Sequence, residues 1–344
     1  MQSRTPEFYR SLPKVDLHRH LEGSLRLGTL LEVARAFDLD LPGTGRLRPM
    51  VQINHSDPLT SQNFLSKFET LREFYRSPEV IARLTKEAIA DAAADNIRYL
   101  ELRFTPVALS RVEDFPMNEV LDWVIQGANE ASSKYEISTR LIASVNRHES
   151  LELAAKVIEL AIDRREDGIV GIDLAGNEAE FPTTPFAPLF QEARQSGMHI
   201  TVHAGEWGGP ENIRQAINLL GAERIGHGVR IMEDETLVTQ AGERETTFEV
   251  CITSNYQSGV VAELREHQLK KMIAAGLNVT INTDDPSISQ VTLSDEYRVA
   301  CEQLGLTFET LHERVLAAVQ AAFLPAADRK LLANSLEGEF PSLD

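Results

Sequence analysis

Cysteine is nearly absent: the 344 residues hold only Cys251 and Cys301. So few thiols exclude a disulfide framework and any Cys-rich zinc module, and both are expected to be small buried hydrophobes. No apolar run approaches the ~18 residues that a membrane-spanning helix needs. The opening stretch MQSRTPEFYRSLPK lacks the apolar core of a signal peptide, so the expected compartment is the cytoplasm. Positive charge is scarce, with 34 basic against 52 acidic residues and a formal net charge of −18. Such a surface repels nucleic acid backbones and anionic membranes, and neither is expected as a partner. No low-complexity tract, short repeat or linker divides the chain, which predicts one domain over residues 1–344. The Pro/Gly stretch LPGTGRLRP (41–49) is expected to be a loop.

What the chain does have is a rhythm. Short β-rich runs alternate with longer runs of helical period, the mark of repeated βα units. The runs are VDLHRH (15–20), IRYLELRF (97–104), TRLIASV (139–145), IVGIDLAG (169–176), HITVHAG (199–205), RIGHGV (224–229), FEVCITS (248–254) and NVTINTDD (278–285). Between them, PENIRQAINLL (210–220) places Ile213, Ala216, Ile217 and Leu220 at helical spacing behind Pro210. Eight strands in this alternation predict an α/β fold, a (β/α)8 TIM-type barrel; the rival is a doubly wound open sheet. The barrel is favoured because the chemically capable residues fall at the C-terminal ends of strands, where such barrels build their sites. The long gap between the first two strands predicts a helical insertion over the barrel mouth, including QNFLSKFETLREFY (62–75). Phe64, Leu65 and Phe68 there can line an apolar lid, or simply pack their helix.

Alternation along the first strand puts His18 and His20 on one face. The fifth strand ends TVHAGE, with His203 followed by Glu206; the sixth ends GHG, with His227; the eighth ends NTDDP, with Asp284 and Asp285. In one barrel, His18, His20, His203 and Asp284 converge near the mouth. Three imidazoles and a carboxylate suit a divalent metal, most simply Zn²⁺, with a position left open for water or substrate. Glu206, His227 and Asp285 then remain for moving protons at the same mouth. The fourth strand, IVGIDLAGNE, lacks the lysine that bridges two metals in many H-x-H barrel hydrolases, so one metal per chain is expected. His199 starts its strand and belongs at the far end of the barrel. His55, His148, His267 and His312 are expected to be solvated or helix-packing residues. Apolar side chains are expected to fill the barrel below the metal.

The ordered blocks LPKVDLHRHLEGSLR, YLELRFTP, GIDLAGNE, HITVHAGE, RIGHGVRI, TSNYQSG and VTINTDDP span nearly the whole chain. Together they resemble the adenosine deaminase family of zinc-dependent aminohydrolases. The resemblance implies hydrolytic loss of the 6-amino group of adenosine or 2′-deoxyadenosine, with release of ammonia. It implies zinc ligands at His18, His20, His203 and Asp284, and a proton donor to ring N1 at Glu206. It gives His227 and Asp285 to orienting the attacking water, and the Gly176 N–H to ring N3. Position 22 usually carries an Asp that contacts the ribose 5′-hydroxyl, whereas this chain has Glu22. Two further departures, Asn177 for a common Asp and Ile252 for a common Pro, do not touch the chemistry. Glu22 is expected at the pocket rim, either on the sugar or capping the helix that follows it. It keeps open two other substrates, free adenine and 6-amino-6-deoxyfutalosine. An inactive purine-binding relative is the non-enzymatic alternative, disfavoured because every position implied to be catalytic is filled.

Overall fold

The structure, a computed structural model, describes residues 4–40 and 44–341. Its strands are β1 (Lys14–His20), β2 (Ile97–Phe104), β3 (Ser138–Asn146), β4 (Ile169–Ala175), β5 (His199–Ala204), β6 (Arg224–His227), β7 (Thr247–Val250) and β8 (Asn278–Ile281). They form one eight-stranded sheet in sequence order, and each neighbouring pair is parallel. The sheet curls until β8 meets β1 at the C-terminal mouth. There the Asp284 N–H donates to the His18 carbonyl at 2.8 Å, and the His20 N–H donates to the Asp284 carbonyl at 2.9 Å. Helices fill the connections, so the architecture is the expected barrel, nearly closed. No helix among the described residues is long and apolar enough to cross a membrane.

Helix starts follow local chemistry. The Ser77 hydroxyl accepts from the Val80 N–H at 3.2 Å, and Pro78 opens the helix Pro78–Ala94. The stretch 210–220 is helical, with its four periodic apolar residues buried; its last turn, Ala216–Leu220, is widened to π geometry. The insertion after β1 carries the helices Leu27–Ala36, Thr44–Val51 and Ser61–Leu71, and a 3₁₀ turn at Arg72–Phe74.

Several boundaries differ from the sequence reading. Residues 44–51 form a helix rather than a loop, because Leu47 and Val51 find buried positions; residues 41–43 lie outside the described residues. β6 stops at His227 and β8 at Ile281. β7 stops at Val250, and residues Ile252–Gln257 turn into a helix. The cause is remote: the buried Glu296 carboxylate accepts the Ile252 N–H at 2.9 Å and the Thr253 N–H at 3.2 Å. It takes the place of a cap that the local sequence does not supply. Cys251 is buried as expected, while Cys301 is half-buried.

The barrel interior contradicts the expected apolar filling. Along β2, Leu100, Leu102 and Phe104 are buried, and between them Glu101 and Arg103 project into the barrel's charge network. Arg103 Nη2 reaches Glu249 Oε2 at 2.8 Å, and its Nη1 lies 3.5 Å from Asp173 Oδ2. Arg224 Nε lies 2.5 Å from Glu249 Oε1, and Arg224 also pairs with Glu101. Glu101 further accepts from the Tyr99 hydroxyl at 2.8 Å and the Phe323 N–H at 2.6 Å. Buried charges persist only when matched in this way, and deleting one partner of such a pair strands the other. Arg224→Met leaves Glu101 and Glu249 underpaired. It is expected to lower the unfolding free energy by about 3–5 kcal/mol, measured by urea denaturation; a loss below about 1 kcal/mol would show that the pairing is dispensable.

Candidate active site

Four donors from three sequence regions meet at the mouth. His20 Nε2 lies 3.2 Å from His203 Nε2 and 3.3 Å from Asp284 Oδ1, and His18 Nε2 lies 3.1 Å from the same oxygen. One atom from each of these residues lies within 4.8 Å of the others, and all four residues are buried or nearly so. His18 Nε2 is buried without a hydrogen bond. Such an orphaned nitrogen beside a carboxylate oxygen is costly unless a cation joins them. Donors held ~2.0–2.1 Å from a tetrahedral zinc ion stand at such separations from one another. The residues present therefore fit a divalent metal.

The imidazoles are aimed from behind. His18 Nδ1 contacts Glu249 Oε2 at 2.8 Å, and His203 Nδ1 contacts Asp173 Oδ1 at 2.9 Å. With each Nδ1 engaged by a carboxylate, each Nε2 turns to the centre. Burial pushes the Asp173 carboxyl up, but His203 and Arg103 outweigh it and hold it well below the usual range. The Ser254 hydroxyl donates to Asp284 Oδ2 at 2.6 Å. Asp284 reaches the site from beyond the end of β8, in a left-handed turn at φ +65°, and not by simple alternation along a strand. A second grouping, His227, Cys251 and Asp284, shares that carboxylate. It suits a metal poorly, because burial and the nearby carboxylates push the Cys251 thiol far up and keep it protonated.

Glu206, His227 and Asp285 surround these donors. Glu206 Oε2 lies 3.6 Å from His227 Nε2. Burial, then Asp284 and Glu178, raise the Glu206 carboxyl well above its ordinary value, which favours a neutral acid. Burial, then Asp284, Glu22 and Glu206, raise Asp285 likewise, and its Oδ1 has no hydrogen-bond partner. A Cβ at position 23 would stand 1.8 Å from that oxygen, so Gly23 is required for the close approach. Gly176 sits at φ +95° in the pocket wall, beside Phe64, Leu65 and Phe68 of the insertion.

Glu22 corrects the sequence reading twice. It is buried in the pocket wall, not set at the rim. It also does not cap the following helix: its Oε1 accepts the Thr105 N–H at 2.7 Å, at the start of Pro106–Ser110. Its Oε2 is buried with no partner. His148 is exposed, as expected of a solvated residue, although it also lines the pocket, and His267 is buried against the start of the helix Leu269–Ala274 and bonded to Asn255 at 3.2 Å, as expected of a helix-packing residue. His199 lies at the far end of β5 and His312 stacks on Phe340, as expected.

Sequence reasoning missed Glu178. Its carboxylate accepts the N–H groups of Gly205, Glu206 and Trp207 at 2.9, 2.6 and 2.8 Å, and so fixes the turn that carries Glu206. The signal was present in GIDLAGNE, but a glutamate in a loop gives no hint of three distant amides. Arg72, Asn146 and Trp207 also line the pocket and were not anticipated.

His203→Ala removes one donor and leaves Asp173 facing a void. The variant is expected to lose most bound metal, measured by elemental analysis after dialysis against zinc, and full occupancy would contradict the donor set. The charged barrel interior makes some loss of stability a parallel expectation.

The family profile described as adenosine deaminase matches residues 13–338. The adenosine deaminase of Klebsiella pneumoniae (strain 342) is 39% identical over 324 residues, covering 94% of this chain and 97% of that protein. That of Escherichia coli O157:H7 is 38% identical, with the same coverage. A Burkholderia ambifaria amidohydrolase with bound Zn superposes with a TM-score of 0.90 at 25% identity, covering 97% of this chain and 92% of that one. The adenine deaminase of Arthrobacter aurescens gives 0.88 at 26% identity, over 95% and 98%. The N6-methyl-AMP deaminase of Arabidopsis thaliana gives 0.86 at 28% identity, over 97% and 98%. With the match running from Pro13 to Gly338 and the same barrel beneath it, this chain belongs to the adenosine deaminase family of hydrolytic deaminases.

Proposed function

We propose that the chain is a single-domain cytoplasmic enzyme, with one zinc ion per chain, that converts adenosine and 2′-deoxyadenosine to inosine and 2′-deoxyinosine with release of ammonia. The observation that carries this reading is the buried Glu206 carboxyl, favoured in its neutral form, facing His227 beside the donor cluster. His18, His20, His203 and Asp284 would hold the zinc, which when bound supplies Lewis acidity that makes water nucleophilic at neutral pH. Glu206 donates its proton to purine N1, which draws electrons from C6. His227 and Asp285 orient the water that adds at C6, and the amino group leaves as ammonia after taking up a proton. The Gly176 N–H holds ring N3, and Phe64 and Phe68 cover the purine and exclude bulk water. Glu22 takes a sugar hydroxyl with its free Oε2.

One observation favours a second reading of the sugar side. Arg72, on the insertion, lines the pocket; its side chain makes no hydrogen bond or ion pair among the described residues, and its buried Nε is unpartnered. It acts electrostatically on Glu22 and on His148. An unpaired guanidinium beyond the ribose favours an anionic group at the 5′ side. That suits AMP or 6-amino-6-deoxyfutalosine, and not free adenine. The relation to an N6-methyl-AMP deaminase supports the same reading.

Ammonia release from adenosine, 2′-deoxyadenosine, adenine, AMP and 6-amino-6-deoxyfutalosine decides between these readings. Adenosine is expected to turn over, and no release from any of the five would overturn the assignment. Glu206→Gln is expected to keep its zinc while turnover falls by at least about 10²-fold, the scale of a lost general acid. Near wild-type turnover would remove Glu206 from the chemistry. Glu22→Gln preserves the bond to Thr105, so any loss confined to nucleosides and absent with adenine reports the sugar contact. That loss is expected at roughly 1.5–3 kcal/mol in transition-state terms. In Arg72→Met, a fall in kcat/KM for AMP relative to adenosine supports the anionic reading, and an unchanged ratio excludes it.

A further inference from the structure

His227 faces the reacting centre through Nε2, but the chemistry it can do there depends on which ring nitrogen carries the proton. That choice is settled by a chain of hydrogen bonds starting outside the site. The Leu269 backbone N–H points at His267 Nδ1 at 3.1 Å. A backbone N–H can only donate, so His267 Nδ1 presents its lone pair and the ring's proton sits on Nε2. Burial holds the His267 pKa near about 4, so the ring is neutral at pH 7. Its Nε2–H points at the Asn255 side-chain oxygen, Oδ1, at 3.2 Å. That contact fixes the amide's orientation, because only the oxygen can accept. The amide nitrogen is thereby turned to His227 Nδ1, at 3.0 Å. An amide NH₂ can only donate, so His227 Nδ1 accepts. Asn255 is fully buried and His267 is 5% exposed, so water does not offer either group an easy substitute partner.

We propose that Asn255 and His267 are positioning residues that lock neutral His227 as the Nε2–H tautomer, so that His227 meets the reacting centre as a hydrogen-bond donor. His227 Nε2 lies 3.6 Å from Glu206 Oε2 and 3.9 Å from Asp284 Oδ2, so its proton is directed to the centre that these groups surround. A donor here holds an attacking oxygen in place and stabilises negative charge on it. In this form it cannot also remove that oxygen's proton. The proposal rests on the reading of this pocket as a deaminase site, but the tautomer can be read without turnover.

The test is nitrogen-15 NMR of zinc-loaded protein labelled at histidine, with His227 identified by the signal lost in His227→Gln. Wild-type His227 is expected to show a protonated, pyrrole-type Nε2 and an unprotonated Nδ1. A proton on Nδ1 would overturn the proposal outright, whatever the enzyme's activity. Asn255→Asp supplies acceptors to both rings, so His227 is expected to invert to the Nδ1–H form, with zinc content unchanged and kcat at least about ten-fold lower. A wrong tautomer has that kind of cost in catalytic triads. His267→Leu is expected to release the amide and mix the tautomers, and His267→Gln, whose amide can again donate, to restore the wild-type pattern. Loosened packing alone would lower stability in both His267 variants without this split. An unaltered His227 spectrum in Asn255→Asp and His267→Leu would also overturn the proposal. Adenosine assayed on the same wild-type sample separates a failed tautomer from a failed deaminase assignment.

Discussion

Asp284 does two jobs that other residues depend on. Its backbone joins β8 to β1 through the carbonyl of His18 and the N–H of His20. Its side chain lies 3.1 Å from His18 Nε2 and 3.3 Å from His20 Nε2. Closure of the barrel and assembly of the donor cluster are therefore one event. The left-handed backbone at φ +65° is unfavourable for an Asp outside a glycine-like turn, and the two interstrand hydrogen bonds hold it there. Backbone pairing between the β8 end and β1 among the described residues is confined to this mouth.

Below that closure the barrel is organised by charge. Arg103 stands between Glu249 and Asp173, the two carboxylates that aim His18 and His203. Arg224 continues from Glu249 to Glu101 and to the carbonyl of Ala321, at 2.9 Å, near the opposite end of the barrel. An apolar filling would give similar packing without the desolvation cost. What it would not give is a fixed direction for two imidazoles. The network makes their orientation a property of the whole interior, because a tilt of either ring breaks a buried charge-assisted bond.

The sequence disclosed what depends on local spacing. His18 and His20 share a face by alternation, His203 and Glu206 flank a glycine turn, and His227 lies between two glycines at a strand end. What it hid depends on partners far along the chain. Glu296 ends β7 from 44 residues away, and Thr105, 83 residues on, pulls Glu22 into the pocket wall. Glu178 and His267 look, in sequence, like ordinary loop residues, and Arg103 and Arg224 like ordinary polar positions of their strands. Their roles exist only after the strands have brought their acceptors and donors together, and no periodicity encodes that.

The site also shows where stability has been given up. Glu22 Oε2 and Asp285 Oδ1 are buried without hydrogen bonds in the pocket wall. A core selected for stability alone would pair or replace such groups, since each costs on the order of 1–3 kcal/mol. Their cost is offset by the apolar shell of strands and helices around them. Burial also raises the Glu22, Asp285 and Glu206 carboxyls. The same desolvation that penalises the charged forms of these groups keeps protons available there. A ligand that supplies the missing donors and acceptors recovers that energy on binding, so the unsatisfied atoms define, by complement, the polar edge of the molecule the pocket takes.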